Sequence, residues 1–84
     1  NALADVLANL AKTHQVIVVT HLAQVAVRAD SHYVVQKQDG EDDQPVTCLF
    51  SVEGDARVFE IARMLSGGAS VASLAHAREL LGSA

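Results

Sequence analysis

The chain has 84 residues, half of them hydrophobic, with a formal charge of −4 and a pI near 5.3. That length holds one domain at most, and with only 4% aromatic residues its core must be built from Val, Leu, Ile and Ala. The acidic balance argues against a broadly basic nucleic-acid-binding surface, and no apolar run approaches the ~20 residues of a membrane span.

Residues 2 to about 13 are predicted as a helix, because Leu3, Val6, Leu7 and Leu10 recur at helical spacing. Asn1 is placed to cap it. The chain opens on Asn1 with this helix at once and reads as a piece of a longer protein. The next stretch, Gln15 to His21, carries four consecutive apolar residues, Val16, Ile17, Val18 and Val19. A strand apolar at every position is buried on both faces, as in a parallel sheet covered by helices. Thr20 and His21 close the run, and a second helix over 22 to about 29 follows immediately. His21 is therefore expected at the carboxyl edge of a sheet, where ligands bind in open α/β folds. Its plainer role there is to end the strand and cap the helix.

His32 to Gln38, with Tyr33, Val34 and Val35, reads as a strand, and Val46 to Val52 alternates as another, joined by the acidic loop Asp39 to Pro45 with its Asp-Gly turn signal. Asp42 and Asp43 in that loop read as a solvated turn. Asp55 is the expected cap of a helix over about 56 to 66, stopped by Gly67-Gly68. Ser70 caps a last helix with Val71, Leu74, Ala75, Arg78 and Leu81 in one stripe. The predicted architecture is α/β, in the order α-β-α-β-β-α-α over the single segment 1–84. It is a fragment of a mixed sheet with an antiparallel hairpin and two final helices.

Few residues offer chemistry. His14, His21, His32 and His76 match no zinc spacing, so no metal site is expected. Cys48 has no partner cysteine and sits in a strand as a small hydrophobe, which fits a reducing, cytoplasmic setting. Gly67-Gly68 follows a helix and lacks the Lys-Ser/Thr of a phosphate loop. No nucleophile elbow or triad order is present.

Two blocks carry a resemblance. Gln15 to Ala26, and Arg57-Val-Phe-Glu-Ile-Ala-Arg-Met-Leu65 followed by Gly67-Gly68 and Ala75-His-Ala-Arg-Glu-Leu-Leu81, resemble the C-terminal part of the ATPase head in the RecN family of bacterial DNA repair proteins. That family belongs to the SMC-like branch of the ABC-type ATPases. Ala23 departs from it, standing where the family commonly has proline. Proline suits a helix's first turn, so this change leaves the histidine undisturbed.

The resemblance implies a P-loop, ABC-type head whose Walker A loop, signature and Walker B acids lie outside these residues. It implies that His21 is the switch histidine contacting the γ-phosphate of ATP, with Gln24, one helical turn on, near the same pocket. ATP and Mg²⁺ are implied for the full-length protein and neither is expected on the isolated segment, which should have no turnover of its own. The implied partners are the rest of the head, a second head across an ATP sandwich, and DNA through the full-length protein rather than this segment, in the cytoplasm at the nucleoid. Two readings of other classes stay open: a non-catalytic interaction or dimerisation module with a structural His21, and the tail of another ABC-type ATPase.

Overall fold

The computed structural model describes residues 2–41 and 44–83. The capping role expected of Asn1 and the solvated turn expected of Asp42 and Asp43 lie outside the described residues. In chain order the elements are α1 (Ala2–Leu10), α2 (Ala23–Ala26), β1 (His32–Asp39), β2 (Pro45–Val52), α3 (Asp55–Ser66) and α4 (Val71–Ser83). The fold is a small α/β unit with one two-stranded sheet.

The core lies between α2, α3 and α4. Ile61 and Ala62 of α3 and Ala77 of α4 are fully buried, and Ala23, Ala26 and Val27 close the third side. Four of these six side chains are alanines, so the helices approach closely and Ile61 supplies most of the buried bulk. Val58, Leu65, Leu74 and Leu81 pack around this centre, which is the face their helical spacing predicts.

Local signals set the ends of α3 and α4. Gly67 adopts φ 75°, the left-handed conformation that stops a helix, and its N–H donates to the Arg63 carbonyl. Ser70 caps α4 as expected: its Oγ accepts from the Ser73 N–H at 3.1 Å, and its own N–H donates to Ser73 Oγ at 2.8 Å. This reciprocal pair is a capping box with Ser in the usual Glu position. Asp55 does not cap α3. Gly54, with φ 58° and ψ −132°, holds the cap position and Asp55 is the first helical residue, because that backbone conformation suits glycine alone.

β1 and β2 pair antiparallel from His32 opposite Val52 to Asp39 opposite Pro45. The antiparallel hairpin is the one the sequence predicted. Gly40 closes it, its N–H donating to the Gln44 carbonyl at 2.8 Å.

The strand expected at 15–20 is not formed. These residues have no regular structure, and among the described residues the sheet contains β1 and β2 alone. The order is thus α-α-β-β-α-α, and the mixed sheet is replaced by an antiparallel pair. The physical cause is pairing. A central strand draws its hydrogen bonds from neighbours on both sides, and no other segment among the described residues lies alongside this one. Ile17 and Val19 are 84% and 96% exposed, while Val16, Val18 and Thr20 are more covered. This period of two is that of an extended chain with one side turned to solvent. The apolar stripe of α1 shares this fate: Leu3, Val6 and Leu10 are exposed, and only Ala4 is buried. No sheet face forms beneath them.

Candidate functional site

The site builds outward from the junction of the 15–20 run with α2. Thr20 Oγ1 accepts a hydrogen bond from the Leu22 N–H at 3.0 Å, turning the chain around His21. From Leu22 the backbone is hydrogen-bonded without a break. Val25 and Ala26 donate to the Leu22 carbonyl, Val27 to Ala23, Arg28 to Val25 and Ala29 to Ala26. Ala23, Val25, Ala26 and Val27 are buried. His21 thus stands on the front end of a short rigid block. Ala23 is the first residue of α2, a position that accepts proline without cost to the helix.

His21 and Gln24 are both exposed. Neither lines either of two open concavities, one bounded by Ala8, Arg28, Asp30, Arg57 and Leu81, the other lying between the hairpin and α3. Among the described residues no three of His, Cys, Asp or Glu gather where a metal ion could be held. Cys48 is half-buried on β2, its Sγ 3.7 Å from Gln38 Oε1.

The far end of the block is held by a residue to which sequence reasoning gave no role. Arg57, half-buried on α3, directs its Nη2 at three carbonyls: Ala26 at 3.1 Å, Val27 at 3.3 Å and Ala29 at 2.7 Å. The last carbonyls of a helix lack intrahelical donors, and a cation is the favoured partner there. The contact bridges about thirty positions, and an arginine at a helical spacing carries no mark of so distant a target. Arg28, one turn along, pairs with Asp5 of α1 and holds that carboxyl below its ordinary value, first through the hydrogen bond and then through its charge.

Beside Arg57, His32 Nδ1 and Arg57 Nε are both buried without a hydrogen-bond partner. Burial lowers the His32 pKa, the Arg57 charge lowers it further, and Glu60 opposes them. The neutral form of His32 is therefore favoured beside the Arg57 cation.

The fold and the site define a small α/β segment in which an unpaired apolar run delivers an exposed histidine to a clamped helical turn. No protein-family model matches the chain. It is 58% identical over 80 residues to DNA repair protein RecN of Deinococcus radiodurans, covering 95% of this chain and 14% of that protein. It is 56% identical to the Mycobacterium leprae RecN over 81 residues, covering 93% of this chain and 13% of the relative. The Treponema pallidum RecN is 44% identical over 81 residues, with 95% and 14% covered. Over nine-tenths or more of its length the chain is thus similar to a segment of these RecN proteins, at 44–58% identity. It spans about one seventh of the length of these relatives.

Proposed function

We propose that this chain is the C-terminal segment of a RecN-like ATPase head acting in DNA double-strand break repair, and that His21 is its contact to the γ-phosphate of ATP. The observation that supports this reading best is the 58% identity over 95% of the chain to a protein named for DNA repair. The local geometry is compatible with it. An imidazole placed at the end of an apolar extended run, exposed, and followed by a rigid block can present an N–H to a phosphate oxygen. Gln24 follows on the exposed surface of α2 and is the secondary candidate.

The residues present cover only part of what ATP and Mg²⁺ require. His21 fits a phosphate contact. The carboxylates and lysine that would hold the metal and the remaining phosphates must come from residues outside this chain. Phosphoryl transfer depends on all of these together, so the work of this segment is to place one donor. In the complete head, Val16 to Val19 would be a buried central strand in a mixed sheet, paired on both sides and covered by the apolar stripe of α1. Further partners in this reading are a second head across the nucleotide and DNA bound elsewhere on the protein, in the cytoplasm.

The test is His21→Ala in the full-length protein, with ATP turnover and melting temperature measured together. His21 is exposed, so the melting temperature is expected to hold while turnover falls by about a hundredfold, the scale of a lost charge-stabilising donor. Unchanged turnover would return His21 to a turn residue and leave the interaction-module reading standing.

A further inference from the structure

We infer that Arg57 is the positioning residue for His21, acting through the Leu22–Ala29 block. The inference rests on the reading of His21 given above, and three observations carry it. The block is continuous: its backbone hydrogen bonds run from the Leu22 carbonyl to the Ala29 N–H, and the Thr20 hydroxyl ties His21 onto its front through the Leu22 N–H. A displacement at one end therefore reaches the other.

Beyond the packing of Ala26 and Val27 on the core, the block's far end is held by the polar contacts of one side chain. A single Arg57 nitrogen reaches the carbonyls of Ala26, Val27 and Ala29 at 2.7 to 3.3 Å. α2 has four helical residues and no side-chain cap at its start, so it has little intrinsic stability to set its own direction. Arg28 supplies a further polar tether, an ion pair to the exposed carboxylate of Asp5, and exposed pairs hold geometry weakly.

The third observation is the commitment of the guanidinium. It is half-buried, and Nη2 is occupied by main-chain acceptors. Its place is thus inside the segment, where it joins α3 of the core to the turn that carries His21. Its lever is orientation, and small misplacements of a reacting group are costly to rate.

The experiment uses the full-length protein in four forms: Arg57→Ala, Arg57→Lys, His21→Ala, and Arg57→Ala combined with His21→Ala. For each, kcat and KM for ATP are measured beside the melting temperature. Arg57→Ala is expected to lower kcat about tenfold or more while KM stays within about twofold. In the His21→Ala background the same change is expected to cost nothing further, because two residues acting through one contact are not additive. Arg57→Lys keeps the charge but loses the planar fork, and is expected to recover part of kcat.

Equal fold losses in both backgrounds would show that Arg57 only supports the fold, and would overturn the inference while leaving His21 in its role. No loss from Arg57→Ala would overturn it too. No loss from His21→Ala would remove the reading beneath it. If Arg57→Ala does not fold, Arg57→Lys is compared in the two His21 backgrounds instead. Failure of both to fold makes Arg57 structural alone and overturns the inference.

Discussion

Arg57 Nη2 donates a 2.7 Å hydrogen bond to the carbonyl of Ala29, 28 positions earlier in the chain. This contact joins the first turn of α3 to the end of the turn that begins at His21. Everything on the candidate side of the molecule, the apolar run, the histidine and α2, reaches the Ile61 core through packing of a few small side chains and through this guanidinium.

The core itself should be fragile at one point. Ile61 is 0% exposed and is the largest fully buried side chain among the described residues, in a cluster whose other fully buried members, Ala62 and Ala77, are too small to fill a gap. Ile61→Ala should destabilise the segment by about 2–5 kcal/mol. The urea midpoint reads this directly, with Val71→Ala, 88% exposed, as a control expected within about 0.5 kcal/mol. A smaller loss at Ile61 than at Val71 would place the core elsewhere.

Stability should fall on mild acidification through His32. Its pKa is lowered below the ordinary 6.5 by burial first and the Arg57 charge second. The unfolded chain therefore binds this proton at higher pH than the native one. Stability is full above pH 6.5 and is lost as pH falls from there through the lowered native pKa. Asp5, held below 3.8 by Arg28, titrates in a separate and more acidic window. Urea midpoints between pH 8 and pH 5 are expected to decline for the native sequence and to decline less for His32→Gln. An identical slope in both would detach the effect from this ring.

Val19 separates the segment from its proposed parent. In the segment it is 96% exposed, so Val19→Asp should alter stability by no more than about 0.5 kcal/mol. In the full-length protein, where the run is proposed to be a buried strand, the same change should cost at least about 3 kcal/mol, because it would bury an unpaired charge. Denaturant titration of both forms makes the comparison. A small effect in both would reject the buried strand.

The Gly67 stop of α3, the Ser70 cap of α4 and the antiparallel hairpin were legible in the residues themselves, whereas the start of α3 was not, since Gly54 rather than Asp55 holds its cap. Each legible feature rests on interactions within a few positions, or on an alternation that one face of a strand enforces. The similarity to RecN proteins was legible too, since it lies in residue identity. The state of Val16 to Val19 was not. Four apolar residues in a row state a preference for burial, but a strand exists only where other backbones supply its hydrogen bonds, and none here does. The exposure of the α1 stripe follows from the same missing surface. Arg57's three carbonyls and the buried Nδ1 of half-buried His32 were decided by tertiary structure alone, because each is set by how α3 crosses α2 and the hairpin, a relation between distant parts of the chain that local pattern does not encode.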